Sequence, residues 1–345
     1  MTDYKIVGID LAKTKFHLVA LNSKGEKVLS KQVLREELLI YIQTTFSKET
    51  LLAMEACGGC HYWGQELEAL GYPVKLLKPK DVKPYAKIRQ KNDINDALAI
   101  AKTALDLNLK PVHLKNKSEQ AISFLHKVRS NTIRDRVQKS NSIQTSLMEF
   151  GFVAKVKKSV FSKEARLHIQ QAYDNNLIEK NVYNALILEA KEIQDLLSKE
   201  AELEKSLKAL NKNSKRAQLL ETIPGIGPIN ASILSVQAME SYETGRDFSA
   251  SIGLVSKQST TGGKAQLGSI TKQGNRYRYI RTMLIQGAQS IVIRGCKENP
   301  PQNSLYTFAQ KLYERKGFNL ASVAVANKLA RVAYACVIKQ EAYKA

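Results

Sequence analysis

Short stretches rich in apolar residues open the chain, and the second of them, Phe16-His17-Leu18-Val19-Ala20-Leu21, alternates, which predicts short strands joined by tight turns. Three such strands come first, and helical and strand-like patterns then take turns. The predicted strands are 4–11, 15–22, 26–33, 50–56 and 73–77, and the predicted helices are 35–46 and 61–70. Hairpin-linked strands followed by alternating helices and strands are typical of a mixed α/β sheet covered by helices.

A long helical pattern occupies about residues 116–215, where Gly151 is the one glycine and proline does not occur. Apolar residues recur at helical spacing among alternating Glu and Lys, which predicts a helical arm with a coiled-coil section that pairs within or between chains. The basic stretch 155–163 interrupts this arm. Contact with nucleic acid and a solvated helix face explain that stretch equally well.

The last section contains Ile223-Pro224-Gly225-Ile226-Gly227 between two helical patterns, which is the pattern of a helix-hairpin-helix. Its glycines would bring backbone amides close to a phosphate, and a purely architectural turn is the alternative. An apolar helical run at 321–338 is expected to pack against this mainly helical domain. We therefore predict three domains, 1–115, 116–215 and 216–345.

A formal net charge of +21 indicates a polyanionic partner, most often nucleic acid. A generally basic proteome is the alternative explanation. The sequence has no run of about 18 apolar residues, and its N-terminus resembles no signal peptide, so we expect no membrane span and a cytosolic location. Cys57 and Cys60 could form a redox motif, but small residues in a tight strand-to-helix turn are the favoured interpretation.

Four acidic residues are the candidate metal ligands. Asp93 and Asp96 lie three residues apart, which places them on one face of a helix. Asp10 and Glu55 each end an apolar run that predicts a strand. Carboxylates are the ligands of hard divalent cations such as Mg²⁺, and a basic protein would hold such ions in order to cut a phosphodiester bond. The strand order is that of ribonuclease H or RuvC resolvase, in which such carboxylates converge at one end of the sheet.

Besides the four acids, the sequence has two basic segments. Residues 75–91 carry seven positive charges and one negative, and residues 248–297 have eight Lys and Arg but no Asp or Glu. We expect both to hold a phosphate backbone, although the first could be a solvated loop. Arg276, Arg278 and Arg281 could clamp phosphate in a bidentate way. The other candidate contacts are Lys83, Lys87, Arg89, Lys91, Lys264 and Lys272.

The loop before Gly262-Gly263 holds a hydroxyl cluster, Ser259-Thr260-Thr261. Hydroxyls beside a phosphate clamp could attack phosphorus as nucleophiles. Ordinary loop composition is the alternative, because Ser, Thr and Gly are common in loops.

Eight short motifs give the chain a resemblance to the DEDD-class transposases of bacterial insertion sequences, the group that includes Piv-type DNA invertases. The resemblance covers nearly the whole length. Its motifs are Val7-Gly8-Ile9-Asp10, Met54-Glu55-Ala56-Cys57-Gly58-Gly59, Lys83-Pro84-Tyr85, Lys91-Asn92-Asp93-Ile94-Asn95-Asp96-Ala97, Ile223-Pro224-Gly225-Ile226-Gly227, Gly253-Leu254-Val255, Thr261-Gly262-Gly263-Lys264 and Gly274-Asn275-Arg276-Tyr277.

The resemblance implies a RuvC-like N-terminal domain, a coiled-coil arm and a C-terminal transposase domain. It implies that Asp10, Glu55, Asp93 and Asp96 bind Mg²⁺, for which Mn²⁺ may substitute. It further implies a recombinase that is guided by a structured non-coding RNA, acts on donor and target DNA, and assembles as a dimer to tetramer in the bacterial cytoplasm at the nucleoid. The active site would be composite, with the acids of one protomer meeting a nucleophilic serine of another.

The nucleophile is where the chain departs from the family pattern. The family serine usually lies one or two residues before the first glycine of this loop, positions that are Thr261 and Thr260 here. Ser259 is the nearby serine. We therefore expect Ser259 or Thr261 to serve, with equal weight on each.

Three rival functions remain at the level of sequence. The first is a Holliday-junction-type nuclease that uses the same acids and metal but a water nucleophile. The second is a Piv-like DNA invertase, which shares the chemistry and differs in the DNA that it acts on. The third is a non-catalytic RNA- or DNA-binding protein.

Overall fold

The computed structural model describes residues 4–86, 93–156, 158–261, 264–270 and 277–344. The chain forms two compact units, Met1–Gln120 and Ala121–Ala345. We call them the first unit and the second unit.

The first unit is built on a five-stranded mixed sheet with the order β3-β2-β1-β4-β5. Strand β1 pairs antiparallel with β2 and parallel with β4, β2 pairs antiparallel with β3, and β4 pairs parallel with β5. These strands confirm the predicted mixed sheet, with ends within two residues of those predicted. The strands are β1 (Ile6–Asp10), β2 (Lys15–Leu21), β3 (Lys27–Leu34), β4 (Leu51–Glu55) and β5 (Val74–Leu77).

Helices cover both faces of this sheet, since both faces carry apolar side chains. Phe16 shares one core cluster with Leu38 and Leu67 of the helices α1 and α2. Leu21 shares the other with Ala101 of α4. The helices of the first unit are α1 (Leu38–Thr45), α2 (Cys60–Ala69), α3 (Pro79–Val82) and α4 (Asp93–Ala104).

The predicted helical arm is three helices, α5 (Lys117–Glu149), α6 (Lys158–Asp174) and α7 (Lys180–Asn211). Ion pairs join α5 to α7 in antiparallel order. Arg129 lies 2.6 Å from Glu204, and Lys139 lies 2.6 Å from Glu192. The arm therefore pairs within the chain, while its pairing between chains and its coiled-coil character stay predictions. From residue 158 on, the predicted interruption at 155–163 is part of α6.

The rest of the second unit is mainly helical, as predicted. Its helices are α8 (Lys215–Glu221), α9 (Pro228–Ser235), α10 (Gly245–Ser251), α11 (Arg278–Gly295) and α12 (Ser304–Lys339). Arm residue Leu207 shares its core with Leu234, Leu284 and Leu329. The predicted boundary at 215 therefore falls inside one compact unit, and the first predicted boundary at 115 lies close to the division at 120.

Helix α12 contains the predicted apolar run, and its residues Val325, Leu329 and Ala333 are fully buried in the core. Gly317, with φ of 74°, divides α12 into two helical segments. By length and composition alone α12 could cross a membrane, and half of its most apolar window is buried inside the protein. Burial of this kind is what a core helix of a globular domain shows.

The turn between α8 and α9 is fixed by close packing against α11. A Cβ on Gly287 would lie 2.1 Å from the carbonyl oxygen of Gly225. Gly225 itself has φ of +83°, a conformation that favours glycine. This geometry supports the architectural interpretation of Ile223–Gly227. The phosphate-binding role of a helix-hairpin-helix stays a prediction.

The hydroxyl cluster lies on a strand, so its assignment to a loop was wrong. Strand β6 (Ser256–Thr261) pairs antiparallel with β7 (Lys264–Ile270). The register places Thr261 opposite Lys264, on either side of Gly262-Gly263. Two-residue connections containing glycine are a usual way to join two antiparallel strands.

Candidate active site

Asp10 and Glu55 lie side by side at one edge of the sheet. Each is the last residue of its strand, and the register of β1 with β4 pairs Ile9 with Met54 just before them. Burial, together with the negative charges of Cys60, Glu55 and Asp10, raises the pKa of the neighbouring Cys57 thiol to about 11. Cys57 is thus a neutral thiol at neutral pH, which argues against the redox motif.

Helix α4 brings the second pair of acids to the same edge. Asp93 and Asp96 lie in its first turn. A Cβ on Gly8 would lie 2.2 Å from the carbonyl oxygen of Ala97, so the α4 backbone rests directly on β1. Gly8 is two residues before Asp10, so the first turn of α4 lies close to the end of the strand.

A contact between β2 and α4 shows how close these two elements lie at this edge. The Nδ1 atom of His17 lies 3.5 Å from Oδ2 of Asp93, and the β1–β2 register places His17 opposite Asp10. The Asp93 side chain is 66% exposed, so a substrate can reach it. Asp96 lies on the same helix turn. The ends of β1 and β4 and the first turn of α4 thus lie at one edge, and the binding of a metal by the four acids stays a prediction.

The donor set suits a hard divalent cation, since it consists of carboxylates in a negative local field. Within the described ranges, no group of three or more His, Cys, Asp and Glu side chains is close enough to hold a metal ion. Mg²⁺ usually keeps several water ligands and takes one or two carboxylates directly. The arrangement therefore fits a hydrated ion better than one enclosed by all four acids.

His17 is the site residue that the sequence analysis missed. Its ring also contacts Gln32, with 3.1 Å between Nε2 of His17 and Nε2 of Gln32. A residue facing Asp10 across a hairpin could have been found from the alternation in β2, because the turn between β1 and β2 is short. Its position between β3 and Asp93 suits a residue that orients the Asp93 carboxylate.

The candidate nucleophiles lie in the second unit, whereas the acids lie in the first. Ser259 is exposed and pairs with Gln266 across the hairpin. For Thr261 the structure describes the backbone, which pairs with that of Lys264.

The candidate nucleic-acid contacts have different positions. Lys83 and Arg278 are exposed, the first after α3 and the second as the first residue of α11. Arg281 needs a correction: it is buried, and its Nη1 donates a hydrogen bond of 2.9 Å to the Ile252 carbonyl. We assign Arg281 a structural role. Lys87, Arg89, Lys91, Lys272 and Arg276 lie outside the described residues, as does the side chain of Lys264.

A buried polar network at the start of α11 was also missed. His126 of α5 contacts the Tyr279 hydroxyl at 3.1 Å and the Ser232 hydroxyl at 2.8 Å. Arg129 donates to Tyr279 at 3.2 Å and pairs with Glu204. Burial, together with the positive charge of Arg129, lowers the pKa of His126 to about 4. A neutral imidazole therefore ties the arm to the helix that follows the basic segment.

Comparisons with known proteins identify the family of the chain. Residues 7–152 match the model of DEDD-type IS110 transposases, and residues 217–311 match the model described as the transposase IS116/IS110/IS902 family. A probable family 20 transposase of Pseudomonas aeruginosa is 34% identical, over 98% of this chain and 98% of that protein. The transposase for insertion sequence element IS1111A of Coxiella burnetii is 34% identical, over 100% of this chain and 92% of its own length.

The transposase for insertion sequence element IS1328 of Yersinia enterocolitica is 32% identical, over 97% of each chain. These matches confirm the resemblance seen in the motifs. The chain belongs to the IS116/IS110/IS902 family of transposases.

Proposed function

We propose that the protein cuts and exchanges DNA strands at an insertion sequence, with the four acids as metal ligands and a hydroxyl of β6 as nucleophile. The observation that carries the proposal is that β1 and β4 end in Asp10 and Glu55 at the edge where α4, with Asp93 and Asp96 in its first turn, rests on β1. Family membership supports DNA as the substrate, and the net charge of +21 agrees with it. The five-stranded sheet order is compatible with a RuvC-like fold.

The metal in this proposal is Mg²⁺, with Mn²⁺ as a substitute. Bound at the carboxylates, it would stabilise the charge that develops on the phosphate oxygens. The chain's own acids would hold it at the end of β1 and β4, and His17 would keep Asp93 in orientation. The exposed side chain of Asp93 marks the side from which DNA would approach.

The covalent step would use a hydroxyl of β6, either Ser259 or Thr261. Its oxygen forms a bond to phosphorus, the DNA oxygen on the other side leaves as a hydroxyl, and the proton passes from one oxygen to the other. A free DNA end then reverses this step at a different protein–phosphate linkage. Strands are exchanged without net hydrolysis.

We propose a composite site, which the family resemblance implies and to which the placement of the hydroxyl and the acids in separate compact units is no obstacle. One protomer would supply the acids and a second protomer the hydroxyl, in a dimer or tetramer. A structured RNA would pair with donor and target DNA in the bacterial cytoplasm, at the nucleoid. The proposed nucleic-acid contacts are Lys83, Lys87, Arg89, Lys91, Lys264, Lys272, Arg276 and Arg278.

The test is a cleavage reaction with the purified protein, RNA from the non-coding ends of its element, matching DNA and Mg²⁺, resolved on a denaturing protein gel. We expect a Mg²⁺-dependent protein–DNA adduct in the wild type. The adduct should be lost in Asp93→Asn and in one of Ser259→Ala, Thr260→Ala and Thr261→Ala, which names the nucleophile. Asp135→Asn, which changes a half-exposed side chain of α5, is the control.

Free DNA ends without an adduct, unchanged in all three hydroxyl variants, would replace this proposal with a hydrolytic nuclease. Binding of DNA with neither adduct nor free ends would favour a non-catalytic binding protein. An adduct whose products are inverted rather than inserted segments would retain the chemistry and assign the event to DNA inversion.

A further inference from the structure

A pocket of about 840 Å³ lies in the second unit, between α12 and the segment that leads into α10. Its volume falls in the range of sites that hold small organic ligands. The C-terminal segment of α12 contributes Ala324, Lys328, Arg331, Ala335 and Ile338 to its wall. These residues recur at three- and four-residue spacing, so they form one face of the helix, opposite the face buried in the core.

The pocket has an excess of positive charge. Arg246, Lys328, Arg331 and Lys339 line it, against the single carboxylate of Glu243. Burial lowers the pKa of Lys328, and the neighbouring charge of Arg331 lowers it further. Crowded cations of this kind would be stabilised by an anionic group placed between them. The charge of the pocket is thus complementary to a phosphate.

The same pocket offers flat and apolar surface. Phe308, Val332, Tyr334 and Ile338 contribute to its wall. The Lys328 ammonium lies 4.2 Å from the centre of the Phe308 ring, so cation and aromatic face are adjacent. The Tyr334 hydroxyl is fixed by hydrogen bonds to the carbonyls of Tyr242 and Glu243, which holds its ring in place.

Phe308 connects this pocket to a neighbouring one. A second pocket, of about 580 Å³, is lined by Phe308 together with Lys311, Leu312, Glu314 and Arg315. Cations therefore line both of the pockets that share Phe308. An extended polyanion with one negative charge per repeating unit could lie along this surface, from Arg315 past Phe308 to Arg331.

We propose that this pocket binds an unpaired nucleotide of a single-stranded nucleic acid, whose base takes the place of the Lys328 ammonium on the face of Phe308 and whose phosphate lies between Arg331 and Arg246. Flat apolar surface beside cations is what single-strand binding sites use, because each base has an aromatic face and each linkage has a charge. A paired base has no access to a concave pocket unless it leaves the stack. Neither the four acids nor a metal takes part in this binding.

The test measures binding to the full-length Asp93→Asn protein, so that its outcome is independent of strand cleavage. Fluorescein-labelled oligo(dT), oligo(U) and a DNA duplex, all of the same length, are titrated, with anisotropy as the readout. Arg331→Gln should weaken binding of single strands about tenfold, the loss expected for one charge-assisted contact. It should also lower the slope of log K against log salt by about 0.7. Lys205→Gln, which removes an exposed cation of α7, is the matched control.

A second readout reports the base itself. A 2-aminopurine within the single strand should lose emission when it stacks in the pocket, and Phe308→Leu should restore that emission and weaken binding about fivefold. Folding of each variant is checked by its thermal unfolding. A preference for oligo(dT) or oligo(U) identifies the strand as DNA or RNA, and either preference supports the proposal.

Three results would overturn it. The first is equal loss of duplex and single-strand affinity in Arg331→Gln. The second is single-strand affinity and 2-aminopurine emission that stay at the wild-type level in both variants. The third is loss of affinity for an acidic peptide, oligoglutamate, in Arg331→Gln with oligonucleotide binding unchanged, which would assign the pocket to a protein partner.

Discussion

At the scale of single residues, the pKa values of Cys57 and His126 each depend on burial and on the charges of neighbouring residues. The pKa of Cys57 is raised by burial and by the negative charges around it, including Asp10 and Glu55. The pKa of His126 is lowered by burial beside Arg129. In both cases the neutral form is favoured. The titration of Cys57 therefore tests the charges around Asp10 and Glu55, and that of His126 tests the buried network around Arg129.

Removing one acid should make Cys57 easier to ionise. With a pKa of about 11, the thiol should react slowly with iodoacetamide at pH 8. Asp10→Asn removes a negative neighbour, so the midpoint of the alkylation rate should move to lower pH, as followed by peptide mass spectrometry. Asp135→Asn should leave it unchanged. An identical midpoint in Asp10→Asn would place Asp10 away from Cys57.

His126 should make stability depend on pH. Its folded pKa of about 4 lies below the value of 6.5 for an unperturbed histidine. Between these two pH values the unfolded state therefore binds a proton at this residue that the folded state does not bind. The free energy of unfolding should therefore fall by up to about 3 kcal/mol as the pH falls from about 6.5 to about 4. Urea unfolding of His126→Gln should lack this part of the pH dependence, and His113→Gln should retain it.

At the scale of elements, the contact between β1 and α4 decides whether the acids meet. Helix α4 lies on Gly8 with its backbone, and a side chain there has no room. Lys75 holds the other end of α4, since its Nζ donates to the carbonyls of Ala104 and Asp106 at 3.1 and 3.0 Å. The helix is thus fixed at both ends, which keeps Asp93 and Asp96 beside the strand edge.

Gly8→Ala should displace α4 and disable cleavage. The added methyl group would overlap the Ala97 carbonyl, and overpacking of this kind costs about 1–3 kcal/mol or more. We expect a lower melting temperature and loss of adduct formation. Gly58→Ala is the matched control, because no atom lies within 4 Å of a Cβ there. Equal stability and activity of the two variants would contradict this account of the helix position.

Much of the first unit could be predicted from sequence, and the reasons are physical. Its central strands β1, β2 and β4 are short, mostly buried apolar runs bounded by turn residues, so the strand positions follow from the pattern. Strand β6 was missed because Ser256–Thr261 is polar throughout and an exposed hairpin has no buried face to reveal it. The burial of Arg281 had a signal, since it shares one helix face with Leu284, Ala288 and Ile291. The network of His126 had none, because its partners are distant in sequence.

At the scale of the whole molecule, the candidate metal ligands and the candidate nucleophiles lie in different compact units. The first unit holds the acids, and the second holds the hydroxyls, the arm and the nucleotide pocket that we propose. Each unit has its own core, so each can fold around its own part of the machinery. Because of this division, binding of a single strand can be tested in a protein that does not cut.

The measurement that tests the central claim most directly is binding of Mn²⁺ to the protein–DNA complex, followed by electron paramagnetic resonance. The wild type and Asp135→Asn should bind the ion with the same affinity. Asp10→Asn, Glu55→Gln, Asp93→Asn and Asp96→Asn should each weaken it by about tenfold or more while remaining folded. Wild-type affinity in all four variants would contradict a metal centre at the edge of this sheet.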